Sequence, residues 1–286
     1  MQRQSSSHRR ASGDRLLIAA VLLLAAAGLG AEHGTPPEAP TAAELLERAF
    51  HNLYAEDYTQ TMRLATRFRG GREMSRRLQV TRKQSAQPGK ALVRFLEPFA
   101  IRRTSILILE NDGRSDDLYV YLPAAGRTRH LSSSQRKDSF FGTDLSYEDI
   151  EPKQAADYEV VLVGSGTLEG DPCVVVDIRA RPHFESTYEK MVSCIESERG
   201  LIYWTEFYRK GSVVKRLEVG PQDVREIGTK FIPFTMTVAT PRNRSETLVQ
   251  TESYELRPVI PDSLFTTWNL EAGDAERDRA RAAAAE

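Results

Sequence analysis

Between Tyr58 and Glu255 the chain reads as short apolar runs broken by turn residues, with no long helical period between neighbours. The clearest runs are 76–83, 92–96, 105–110, 118–122, 158–163, 174–180, 187–195, 201–208, 213–219, 234–239 and 247–256. Asn111-Asp112-Gly113, Gly170-Asp171-Pro172, Arg199-Gly200 and Lys210-Gly211 separate several of them and have the chemistry of hairpin turns. Parallel strands need a crossover of a dozen or more residues, most often a helix. None is visible. The pattern therefore predicts a mainly β fold: about a dozen antiparallel strands in a meander, forming one large curved sheet or barrel.

Two segments stand outside the strand pattern. Thr41, with Glu44 three positions later, has the form of a capping box. Leu45, Leu46, Ala49, Phe50 and Leu53 then fall on one face of a helix ending near Tyr54. The stretch 132–157 interrupts the meander and leads into a short helix. It carries Phe140, Phe141, Leu145, Tyr147 and Ile150, apolar cargo unusual for a solvated loop and suited to a lid.

The two termini lie apart from the domain expected over residues 41–270. Arg9, Arg10 and Arg15 with the apolar run 16–27 give residues 1–31 the form of a secretory signal peptide. That run is shorter than the roughly 20 residues of a spanning helix, although retention as an anchor stays open. Residues 32–40, with Pro36, Pro37 and Pro40, form a linker; 271–286 is a charged, Ala-rich tail expected to be disordered. The expected compartment is the periplasm.

Charge and chemistry narrow the function. The chain of 286 residues has 39 Lys and Arg against 40 Asp and Glu, without the basic excess of a nucleic-acid binder. His51, His130 and His183 show no metal-binding spacing. His130 near Ser132, Ser133 and Ser134 lacks a nucleophile elbow, and the acidic residues around Gly113 read as a turn. These observations predict no enzyme activity, no metal and no cofactor. Arg127, Arg129, Arg136 and Lys137 form a basic patch, either a solvated strand edge or a contact for an anionic headgroup.

Cys173 and Cys194 are the chain's two cysteines. A hairpin with the two directly opposite pairs Val175 with Val192 and Asp177 with Lys190, favourable partners on one face. The cysteines are then either a structural disulfide in an oxidising compartment or two buried free thiols.

Apolar residues on both faces of several strands supply candidates for an acyl-binding cavity: Phe95, Leu107, Leu109, Tyr119, Tyr121, Phe207 and Phe234, with Phe50 and the loop residues Phe140, Phe141, Leu145 and Tyr147 as the lid. A large sheet that closes partway encloses more room than side chains fill.

The runs Leu118-Tyr119-Val120-Tyr121-Leu122-Pro123 and Phe140-Phe141-Gly142-Thr143-Asp144-Leu145-Ser146-Tyr147-Glu148-Asp149 resemble the LolA-like family of outer membrane lipoprotein-sorting proteins. So do Tyr188-Glu189-Lys190, Phe231-Ile232-Pro233 and Pro261-Asp262-Ser263-Leu264-Phe265. The resemblance implies an unclosed antiparallel β-barrel of about 11–12 strands with an α-helical lid. It also implies a monomeric carrier or chaperone for acyl chains of lipids or lipoproteins, working between an inner-membrane transporter and an outer-membrane acceptor. The alternative is a sensor or scaffold module that binds a partner protein.

Overall fold

Thr41 opens the helix α1 (Ala42–Tyr54) with both bonds of a capping box. Its hydroxyl accepts from the Glu44 N–H at 3.2 Å, and the Glu44 carboxylate accepts from the Thr41 N–H at 2.8 Å. Leu45, Leu46, Ala49 and Phe50 are the buried stripe of this helix. They pack against Tyr158, Val176, Ile178, Met191, Ile195 and Phe207, so the amphipathic face finds the sheet surface it needs.

The computed structural model describes residues 39–85, 88–256 and 259–271. The expected signal peptide 1–31, nearly all of the linker and all but Glu271 of the tail lie outside the described residues. From Pro40 onward the chain clusters as one unit.

The strands in chain order are β1 (Tyr58–Arg67), β2 (Glu73–Lys83), β3 (Lys90–Glu97), β4 (Ser105–Leu109), β5 (Asp117–Leu122), β6 (Arg127–His130), β7 (Tyr158–Leu168) and β8 (Asp171–Ala180). Then follow β9 (Lys190–Glu196), β10 (Leu201–Arg209), β11 (Ser212–Glu218), β12 (Val224–Ile227), β13 (Lys230–Pro233), β14 (Thr235–Thr240) and β15 (Ser245–Leu256). Thirteen of these form one antiparallel sheet in the order β6-β5-β4-β3-β2-β1-β15-β14-β11-β10-β9-β8-β7, and β12 and β13 make a separate hairpin. The sheet is unclosed, with β6 and β7 as its edges.

Two pairings depart from a simple meander. The first strand joins the last, Tyr58 opposite Leu256 and Leu64 opposite Val249. β11 pairs with β14, Leu217 opposite Val238, leaving the β12–β13 hairpin outside the sheet. The chain thus runs outward to one edge, returns through the loop 132–157 to the other edge, and comes back to the middle.

The β8–β9 register differs from the expected one by two residues. Val175 stands opposite Cys194, and Val176 opposite Ser193. A two-residue slip keeps every side chain on its own face, so the face pattern alone could not choose between the registers. The residues before β9 explain the difference. Ser186 and Thr187 are held by the Glu148 carboxylate and Tyr188 by Asp149, so this stretch serves the loop rather than extending the strand. Cys173 and Cys194 lie diagonally and are joined as a disulfide, with Cα atoms 5.5 Å apart.

The segment after β15 crosses back over the outer face of β3 and β4. Ile260, Phe265 and Leu270 pack there on Leu92 and Leu107. Asp262 meets Lys83 and Lys90 at 3.0 and 3.2 Å, and Asn269 accepts from Arg94 at 2.6 Å.

Candidate functional site

On the inner face, every second residue of the central strands points into one cavity of about 270 Å³. Met62 and Leu64 of β1, Leu78 and Val80 of β2, Ala91 and Val93 of β3 and Ile108 of β4 form one wall. Met191 of β9, Phe207 of β10, Leu217 of β11, Met236 and Val238 of β14 and Val249 of β15 form the other. Ten of the thirteen sheet strands contribute, from β4 through to β8. One sheet can surround a single cavity in this way only by curving around it.

Two segments cover the space. Phe50, Leu53 and Tyr54 come from α1, and Phe140, Leu145, Ile150 and Pro152 from the loop 132–157. The volume lies just below the roughly 300–1,000 Å³ of small-molecule sites, and the covering side chains occupy room that a ligand would take.

The loop sits on an aromatic cluster. The Phe95 ring is 4.5 Å from Phe141 and 5.5 Å from Phe140, and Phe140 is 5.8 Å from Tyr147. Its turn requires glycine at Gly142. The φ there is +81°, and an added Cβ would lie 3.1 Å from the Met74 Cε. The short helix expected in the loop takes the form of 3-10 turns, at Ser133–Gln135, Glu148–Ile150 and Ala155–Asp157.

Buried polar bonds fasten this apolar cover. Asp144 accepts from Ser245 and Thr247 on β15. Asp149 accepts from Lys215 on β11 and, at 2.8 Å, from the Tyr188 hydroxyl. Burial pushes the Asp149 carboxyl up, but the adjoining Lys215 charge and hydrogen bond outweigh it and hold the group below the usual carboxylate range. Arg136 bonds Glu151 and the Asp116 carbonyl. Burial in turn raises Glu151 against the pull of Arg136.

Comparison with known proteins places this architecture. A family model described as an uncharacterized protein family matches residues 88–272, more than half of the chain. The chain belongs to this family. No curated protein matches the sequence. Among solved structures, a DUF1329 family protein from Desulfovibrio piger is 23% identical with a TM-score of 0.75, covering 80% of this chain and 97% of its own. An outer membrane lipoprotein-sorting type domain from Vibrio parahaemolyticus is 21% identical with a TM-score of 0.73, covering 80% and 98%. A LolA superfamily protein from Nitrosomonas europaea is 21% identical with a TM-score of 0.65, again covering 80% and 98%. At these identities the likeness is one of fold, an open antiparallel sheet.

Of the candidate residues, Phe50, Phe140, Leu145 and Phe207 line the cavity. Phe95, Phe141 and Tyr147 lie beside it as the seat of the loop. Leu107, Leu109, Tyr119 and Tyr121 belong to the outer cluster under Ile260, Phe265 and Leu270. β4 and β5 are apolar at successive positions, so alternation does not show which side faces in. Phe234 packs beneath the Arg225 guanidinium, 4.1 Å from its ring centre. Arg136 is buried with Glu151 and so leaves the surface patch of Arg127, Arg129 and Lys137. His130 bonds Asp117 at 3.2 Å, while the Ser132 hydroxyl bonds Ser134 and Gln135.

The cavity also holds Arg82, Asp149, Lys153 and Lys215, which sequence reading did not single out. In the strand Ser212–Glu218, which carries Lys215, Arg216 and Glu218, each charge looks like a solvated position. The sole signal was parity: Lys215 shares its face with Leu217, and both face inward.

Proposed function

We propose that the protein is a periplasmic carrier that shelters acyl chains of lipids or lipoproteins in this cavity and moves them toward the outer membrane. The observation that carries the reading is the covered apolar cavity, walled by ten strands and roofed by α1 and the loop 132–157. Burying a ~16-carbon chain contributes roughly 11 kcal/mol gross at about 0.8 kcal/mol per CH2, so capture needs no chemistry. Release is the harder step. Phe140, Leu145 and Phe50 fill part of the site when it is empty, which offsets some of that gain. An inner-membrane transporter as donor and an outer-membrane acceptor fit this scheme.

A fluorescent acyl probe tests the proposal. Its emission should rise on binding and fall when palmitate is added. A probe that never partitions into the folded protein would refute the carrier role.

The edge strand β7 favours a second reading, a scaffold or sensor module that pairs with another protein. Val161, Leu162 and Val163 are exposed there, along a sheet edge whose outer backbone groups are open to an added strand. Leu162→Lys would then abolish partner binding and leave acyl uptake intact.

A further inference from the structure

Four charged side chains face the cavity, and three of them are met by opposite charge. Arg82 pairs with Glu110 at 2.5 Å, and Asp149 and Lys215 pair with each other. Lys153 is different. Its ammonium donates to two backbone carbonyls, Glu148 at 2.9 Å and Glu151 at 3.3 Å. Among the described residues no carboxylate comes within ion-pairing distance of it. The two acidic side chains whose charge acts on it are engaged elsewhere, Glu148 by Ser186 and Thr187 and Glu151 by Arg136.

An ammonium has three donors, and two of them are used. Burial alone would push Lys153 toward the neutral form, but Tyr158, Tyr54, Glu148 and Glu151 around it outweigh burial and raise it, so it stays charged. A cation at an apolar cavity is costly until an anion meets it. Leu53, Ile150 and Pro152, which line the same cavity, suit a hydrocarbon tail.

We infer that Lys153 anchors the head of the ligand, and that the cavity takes an acyl chain ending in an anionic carboxylate or phosphate. This rests on the carrier reading and sharpens it: the head is read as well as the tail. A charge-assisted bond to carboxylate or phosphate is about twice as strong as a neutral one, and a neutral ester or alcohol leaves the ammonium unmatched. Lys153 lies within the covering loop, so a bound head would also tie that loop to its cargo.

Displacement of a fluorescent acyl probe from the full chain separates the outcomes. Palmitate and palmitoyl lysophosphatidate should compete about tenfold better than palmitoyl methyl ester, a factor worth about 1.4 kcal/mol. Preference for palmitate points to a fatty acid and preference for the lysophosphatidate to a phospholipid; either supports the anchor. Lys153→Met should erase the tenfold preference, and Lys153→Arg should retain it. Equal competition by palmitate and its methyl ester, or an unchanged preference in Lys153→Met, overturns the inference and leaves the carrier standing. Failure of every acyl compound to compete overturns both.

Discussion

Asp149, on the loop that roofs the cavity, accepts a hydrogen bond from Lys215 on the far wall, and the two side chains are only 4% and 9% exposed. Removing one member of such a pair leaves a buried charge alone, which typically costs about 3–5 kcal/mol. Asp149→Asn should therefore lower unfolding stability by about that amount, read from urea midpoints. The double variant Asp149→Leu, Lys215→Met should recover most of the loss, because neither charge remains. If the single variant is as stable as the parent, this pair does not hold the loop.

A second prediction concerns pH. Burial and the nearby Glu110 charge push the Asp116 carboxyl up to about 7. The folded state therefore favours its protonated form. Its contribution to stability is complete at low pH and lost as pH rises from its ordinary range near 4 toward about 7. Asp116→Asn cannot ionise and escapes that loss. The stability of Asp116→Asn relative to the parent should rise between pH 4 and pH 8, by up to about 4 kcal/mol. Denaturant titrations at both pH values check the sign, and a constant difference would show that Asp116 titrates normally.

The two faces of the sheet give a third test. Met236 lines the cavity, whereas Tyr121 lies in the outer cluster. Met236→Trp fills space that an acyl chain needs and should weaken probe binding by at least about tenfold, or about 1.4 kcal/mol. Tyr121→Trp should leave uptake unchanged. Equal effects from both would mean that the cavity is not where the probe binds.

Much of the fold was legible because it is written in local patterns. Thr41 and Glu44 mark the helix start, and eleven apolar runs mark most of the strands. β6, with Arg127, Thr128, Arg129 and His130, had no apolar run to mark it. The pairing of β1 with β15 depends on contacts between the ends of the chain, which local sequence does not record. The lining was less legible for the same physical reason throughout. Leu107 and Ile108 are equally apolar, and only the Ile260–Leu270 segment folding over the outer face decides that Leu107 faces away from the cavity. Lys153 and Lys215 read as ordinary surface lysines until the loop and β11 bring them to the same cavity.

Native mass spectrometry of the protein isolated from cells, followed by solvent extraction, tests the account most directly. It predicts a population heavier than the bare chain by the mass of an acyl-bearing molecule, and recovery of that molecule in the extract. A chain that carries no extractable acyl species, and whose mass does not change after incubation with excess palmitate, would contradict it.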